Sequence, residues 1–375
     1  MKVAVIGAGI QGICTAYELA KQGHRVSVFD RFGSAAEAAS FANGSLMSAC
    51  VTSSLLDQVS LGAALGSKFI HQTPLRWHSL SLSTLRWARL ARKVRSSPIG
   101  ASRRQDLQDL ARLSQTGFVN LCNTLRFEID RSEGVMLLMR STEDAARWTN
   151  RLRELTEFGV ETSSLDAEQA RAMEPALRDD TPIHQAVLLK EDSSANCRQF
   201  ALLLKGRAEE MGVVFHLNTE VLAWQKQASI QHVRTANQDH GPFDAVVVCA
   251  GEQAQQLLQP LGIKLTLQRI QGYSISAAVR EPLDAPKSAV FDTRHQVSIA
   301  RMGQRVRVTG AYAIGKSNAM PKSRLELLYK VLDDWFPGAA RTHDNPQIWQ
   351  SSVLSTADGL PLIGKTATPG LWLNM

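Results

Sequence analysis

Gly7, Gly9 and Gly12 stand in the order Gly-x-Gly-x-x-Gly, and Asp30 follows eighteen residues after the last of them. Glycine at 7 permits a tight turn, glycine at 9 lets backbone N–H groups approach an anion, and glycine at 12 lets a helix pack closely on a strand. A helix that starts there points unpaired N–H donors and the positive end of its dipole outward. A carboxylate at the end of the next strand accepts hydrogen bonds from sugar hydroxyls. Together these residues suit a dinucleotide, its pyrophosphate on the turn and its ribose on Asp30. Which dinucleotide is bound stays open on this evidence.

The positioning elements are all present. Val3 to Ile6 is a short apolar run that reads as a buried strand. Ile13 to Gln22 has helical spacing, with Ile13, Ala16, Tyr17 and Ala20 on one face, and Gly23 ends it. Arg25 to Phe29 alternates as a second strand and delivers Asp30. A glycine pattern lacking these flanks marks nothing more than a loop; strand, turn, helix, strand and acid together mark a binding unit.

Composition narrows the class. The chain has 375 residues, enough for two domains and a large core. Its five cysteines (Cys14, Cys50, Cys122, Cys197 and Cys249) are scattered, with no C-x-x-C pair and no histidine at ligand spacing. Disulfides and a metal site are therefore not expected, and a reducing, cytoplasmic compartment fits. Gln11, Glu18 and the glycines break the amino-terminal apolar run, so it reads as strand and helix rather than a secretory signal. No stretch reaches the roughly 18 uninterrupted apolar residues of a membrane-spanning helix.

The net charge of +7 is unevenly placed. Between Gln58 and Gln105 there is no acidic residue, and the span holds nine basic ones, among them Lys68, Arg76, Arg86, Arg89, Arg92 and Lys93. Over 86–95, Trp87, Leu90, Ala91 and Val94 share one helical face and Arg86, Arg89 and Lys93 another. Such a helix either lies on the inner face of the cytoplasmic membrane as a peripheral contact or packs on its own domain with a solvated basic face. Nucleic acid is not expected as a partner, because no recognised module accompanies the charge.

Further along, the segment Ser40-Phe41-Ala42-Asn43-Gly44-Ser45 is small and polar enough to approach a phosphate or a ring edge, or to be an ordinary Asn-Gly turn. Helical spacing covers Leu107 to Leu125, Thr142 to Phe158 and Asp166 to Met173. Strands are expected at Val135 to Met139 and Ala186 to Lys190, after which Asp192-Ser193-Ser194 starts the helix Cys197 to Met211. Val213 to Leu217 and Val221 to Gln225 are strand candidates, and Asp244 to Cys249 suits a central parallel strand ending at Ala250-Gly251. Val297 to Ala300 and Val306 to Thr309 read as a hairpin, and the alternation of Arg305 and Arg307 with Val306 and Val308 leaves one sheet face wet.

The chain resembles the D-amino acid oxidase superfamily of FAD-dependent oxidoreductases, most closely its D-amino acid dehydrogenase small subunits. The likeness rests on Val3 to Gly12, S-F-A-N-G-S (Ser40 to Ser45), N-C-R-Q-F (Asn196 to Phe200), Gly212 to Val221, V-V-C-A-G (Val247 to Gly251), Q-G-Y-S (Gln271 to Ser274), T-A-D-G-L-P-L-I-G (Thr356 to Gly364) and L-W-L-N (Leu371 to Asn374), in the family's order from end to end.

That resemblance implies an α/β fold: a discontinuous Rossmann-like FAD-binding domain of glutathione-reductase type (1–70, 191–256 and 346–375) and an α+β substrate domain built on an antiparallel sheet (71–190 and 257–345). It implies FAD held by Ile6, Gly7, Ala8, Gly9, Ile10 and Gly12 at the pyrophosphate, and by Asp30 and Arg31 at the adenosine ribose. Ser40, Asn43 and Gly44 would line the flavin side of the phosphate bridge. Val221 would offer backbone groups to adenine, with Ala250 and Gly251 where the buried strand meets the cofactor; core packing is the other account of Val221 and Gly251. The implied reaction is hydride transfer from the α-carbon of a D-amino acid to flavin, with electrons passed to a quinone-type acceptor.

Two departures qualify the implied activity. The family's G-L-R-P arginine, which clamps the substrate carboxylate, is replaced by Val353 in Ser351-Ser352-Val353-Leu354. Arg301 and Tyr273 are the remaining candidates for the catalytic site. The family also continues past the strand that ends here at Asn374 with a flavin-facing loop and helix, which this sequence is expected to lack. A lesser change beside these two is Gln271, which stands where the family has lysine. The alternatives are thus a catalytically impaired homologue that binds FAD weakly or acts only as a binding protein, and an NAD-dependent enzyme, which the distal motifs disfavour.

Overall fold

In the computed structural model of the chain, residues 1–57, 59, 75–78, 81–227, 230–315 and 320–375 are described. Lys68 and the expected domain boundary at 70/71 lie outside them.

Val3, Ala4, Val5 and Ile6 are all buried, so both faces of strand Lys2–Ile6 need cover, and it lies inside a parallel sheet. Val5 pairs with Val28 of strand Arg25–Phe29 on one side and Val247 of strand Ala245–Val248 on the other. The sheet continues outward to Val214–His216 beyond Arg25–Phe29 and to Leu371–Asn374 and Ile363–Lys365 beyond Ala245–Val248. One face packs Val3 and Val5 against Ile13, Ala16 and Tyr17 of helix Ile10–Lys21 and Phe200 and Leu204 of helix Cys197–Glu210. The opposite face packs Ala4, Ile6 and Phe29 against Trp224, Val233 and Phe243 of a three-stranded antiparallel sheet spanning Val221–Gln227, Ile230–Thr235 and Asp239–Phe243. Helices, parallel sheet and small antiparallel sheet form three layers, the expected Rossmann-like arrangement.

A second sheet has ten strands among the described residues. Most of its pairings are antiparallel, but Ala289–Asp292 runs parallel to Arg131–Met139, and Leu75–Trp77 parallel to Arg305–Ile314. Tyr273, Ile275, Val306 and Val308 pack beneath helix Lys322–Trp335. Strand Gln347–Ser355, placed by sequence in the nucleotide segment 346–375, instead pairs with Gln268–Ala278 in this larger sheet.

Two local expectations change. Asp192, Ser193 and Ser194 do not open a helix: strand Gln185–Ala195 runs through them, because Ser193 and Ser194 pair with Leu46–Met47 and again with Ser132 and Glu133. Asn196 is the cap, its Oδ1 accepting the Gln199 N–H at 3.3 Å. The sheet face carrying Arg307 is not wet, since the Ser40–Ser45 segment covers it there and buried Arg307 donates from Nη1 to Ser45 Oγ at 2.9 Å, while Arg305 on the same face stays partly exposed. On helix Leu82–Arg95, Trp87 is fully buried and donates from Nε1 to the Ser355 carbonyl at 3.1 Å, and Ala91 is buried too, so this part of the apolar stripe packs on the protein, whereas Leu90 is exposed. Arg86, Arg89, Arg92 and Lys93 form the exposed face.

Candidate active site

Close approach explains two of the three glycines. A Cβ on Gly12 would lie 1.8 Å from the Gly7 carbonyl oxygen, and one on Gly7, whose φ is +109°, would lie 2.4 Å from the Cys249 carbonyl oxygen. The protein's own packing therefore forbids side chains at both. Gly9 is different: its φ of −71° suits any residue, and the nearest atom to a Cβ there is Ser40 Oγ at 3.5 Å. Nothing in the polypeptide requires glycine at 9. The bare backbone leaves a cradle open there, and that cradle fits a pyrophosphate.

Asp30 closes the turn. Its carboxylate accepts the Ala8 N–H at 2.6 Å and the Phe32 N–H at 2.9 Å, fixing the strand end against the glycine loop. Ile6, Gly7, Asp30, Arg31, Val221 and Ala250 line one narrow groove, and the Arg31 guanidinium lies over the Phe32 ring at 4.8 Å. At the start of the helix, the Ile10 N–H donates to Ser40 Oγ at 3.1 Å. Asn43 Oδ1 accepts the Ser45 N–H at 3.1 Å, folding the segment into an Asx turn. That turn seats Gly44 over Ser298 and Thr309 of the larger sheet, 3.6 and 3.7 Å from the position of a Cβ.

Beside the groove opens a cavity of about 580 Å³. Asn43, Gly44 and Gly251 line it on the nucleotide side, Gln296, Tyr312 and Ser351 on the sheet side, and Leu55, Leu56, Val353 and Leu360 add apolar wall. Ala250 belongs to the groove and its neighbour Gly251 to the cavity, so the two spaces meet at the end of strand Ala245–Val248. Ligands of open parallel sheets bind at such carboxyl ends.

Of the residues proposed for catalysis, Arg301 lies at a hairpin turn, donating to the carbonyls of Gly303 at 2.9 Å and Pro282 at 3.4 Å, and does not line the cavity. Tyr273 is fully buried, with its hydroxyl 3.3 Å from His78 Nε2. Burial raises the Tyr273 pKa, and burial together with the Arg76 and Arg324 charges lowers that of His78. Val353 is 51% exposed. Sequence reading missed Gln296, Tyr312 and Ser351. Only pairing reveals them, because each sits on a strand or turn whose neighbours decide what its side chain faces. Gln296 has a left-handed φ of +54°, with Nε2 donating to the Thr293 carbonyl at 3.1 Å and Oε1 accepting from Ser54 Oγ at 2.7 Å.

Comparison with known proteins decides the family. Residues 2–375 match the model of the FAD dependent oxidoreductase family. The chain belongs to that family. A D-amino acid dehydrogenase of Cereibacter sphaeroides is 32% identical over 380 residues, covering all of this chain and 86% of that protein. Among solved structures, glycine oxidase from Geobacillus kaustophilus superposes with a TM-score of 0.73 at 20% identity, over 99% of this chain and 88% of the other. L-α-glycerophosphate oxidase from Mycoplasma pneumoniae, solved with FAD bound, gives 0.70 at 16% identity, over 100% and 88%. As an oxidoreductase of this family the chain uses FAD as its cofactor, consistent with the Gly9 cradle. No helix among the described residues is long and apolar enough to cross a membrane.

Proposed function

We propose that this chain oxidatively deaminates D-amino acids to 2-oxo acids and ammonia and passes the electrons to a quinone-type acceptor. The observation that carries this reading is the junction of groove and cavity at Ala250-Gly251, which lets one dinucleotide reach from Asp30 to the larger sheet. The printed name of the Cereibacter relative supports the substrate class. Gly7, Gly9 and Gly12 would hold the pyrophosphate, Asp30 and Arg31 the adenosine ribose, Val221 the adenine, and Ser40, Asn43 and Gly44 the flavin side of the bridge.

When bound, FAD supplies the hydride acceptor and the electron sink. The chain's own residues orient and enclose. Leu55, Leu56 and Leu360 exclude water from the reacting carbon, and Tyr312 and Ser351 offer hydroxyls to the substrate's polar end. Contact with an anionic membrane, where a quinone resides, would be electrostatic, through Arg86, Arg89, Arg92 and Lys93.

The purified chain, reconstituted with FAD, should show a flavin spectrum that D-alanine bleaches without oxygen and that a soluble quinone restores. Retention of FAD with no bleaching by any D-amino compound would instead identify the binding protein that Val353, in place of an arginine, also suggests. Adsorption to anionic vesicles, if the basic face acts as proposed, should be lost on raising the salt well above physiological strength, where the Debye length shrinks to roughly 3 Å.

A further inference from the structure

Tyr312 and Ser351 flank Gly272 on the sheet side of the cavity wall. Ser351 pairs across the ladder with Gly272, and a Cβ on Gly272 would stand 3.1 Å from Tyr312 Cε1. The absent side chain lets the tyrosine ring lie against that strand. Both residues line the cavity, and neither hydroxyl has a partner among the described residues. Val353 follows Ser351 by two positions in the same strand. Burial pushes the Tyr312 phenol up to about 12, so it stays a neutral donor across the physiological range.

The lining itself is uncharged, although Arg307 and Arg151 donate from behind it to the lining hydroxyls of Ser45 and Ser53. Among the described residues lining the cavity there is no Asp, Glu, Lys, Arg or His. Arg76 and Arg324, whose charges act on Tyr273 and His78, belong to the helix side of the sheet: Arg76 Nη1 donates to Ser323 Oγ at 3.4 Å, and Arg324 is fully buried in the helix Lys322–Trp335. Glu252 is held by Arg269 Nε at 2.9 Å and by Ser352 Oγ at 2.7 Å.

Building on the proposed oxidation of D-configured α-amino compounds, we infer that this wall selects substrates whose carbonyl group is uncharged, the amides of D-amino acids, over the free acids. Two hydroxyls satisfy a carbonyl oxygen fully. An ionised carboxylate moved from water into the same wall keeps its charge with no cation in the lining to pair with directly, and that desolvation is not recovered by neutral donors. The amide nitrogen, in turn, is a donor for which both hydroxyls retain lone pairs.

The test uses the FAD-loaded full chain and two matched pairs of compounds. Propionamide and propionate cannot be oxidised at an amine, and their binding is read from perturbation of the flavin spectrum; D-alaninamide and D-alanine are compared by anaerobic bleaching. Propionamide should bind about tenfold or more tightly than propionate, and D-alaninamide should bleach the flavin with a similar advantage. Tyr312→Phe and Ser351→Ala should each weaken the amide about fivefold and leave propionate nearly unchanged. Equal or tighter binding of propionate, or faster bleaching by D-alanine, overturns the inference. Preference for propionamide with no bleaching by either amino compound upholds the wall's selectivity and refutes the oxidation, so the two failures are distinct.

Discussion

Gly9 and Gly12 carry the same letter for different reasons, and substitution separates them. A methyl group on Gly12 would have to occupy space 1.8 Å from a backbone oxygen, and backbone cannot step aside as a flexible side chain does. Gly12→Ala should therefore cost about 4 kcal/mol or more of folding stability and leave little soluble protein. Gly9→Ala meets only Ser40 Oγ at 3.5 Å, an ordinary contact. Its thermal midpoint without cofactor should match the parent's, while its FAD affinity falls about tenfold or more, roughly 1.4 kcal/mol. Calorimetry of the cofactor-free protein and a fluorescence titration with FAD check the pair. A Gly9→Ala protein that binds FAD normally would leave the cradle without its ligand.

Elements show where sequence was legible and where it was not. The amino-terminal strand, turn, helix and strand were readable because their pattern is local: apolar run, glycine spacing, helical period and acid all lie within thirty residues. The Ser40–Ser45 segment needed its distant companions to acquire meaning, and Tyr312 and Ser351 needed the ladder. Asp192 shows the limit most clearly. An acid before two serines reads as a helix start, yet the strand continues through it, since Ser193 and Ser194 just beyond it have strand partners on both sides. The cost appears in its titration. Burial pushes the Asp192 carboxyl up to about 6, although the side chains of Ser48 and Gln115 favour the ionised form. A carboxyl whose folded pKa exceeds its unfolded one of about 3.9 binds more protons when folded. Stability therefore declines as pH rises from about 4 to about 6 and stays lowered above that. Asp192→Asn should raise stability by about 2 kcal/mol at pH 8 and change little at pH 4, as urea titrations at the two pH values would reveal. An equal effect at both would mean that packing, not charge, governs this position.

At the scale of the whole molecule, the proposed FAD contacts come from segments far apart in sequence: the glycine turn, Asp30, Ser40 to Gly44, Val221, and Ala250-Gly251. Ser40 to Ser45 bridges the two sheets, tied at Ile10 to the nucleotide side and at Arg307 to the larger sheet. Strand Leu46–Met47 then joins the larger sheet directly, through Ser193 and Ser194. A ligand spanning groove and cavity would thus be lost only when both sheets separate, and it should stabilise them as a unit. At a hundred times its dissociation constant, FAD should add about 2.7 kcal/mol, which for a chain of this size moves the midpoint by about 3 °C. Scanning calorimetry should then show one transition shifted whole, and proteolysis within 40–47 should slow in parallel. If heating resolves two transitions and FAD moves only one, a single unit holds the cofactor, and the bridge between groove and cavity carries none of its binding.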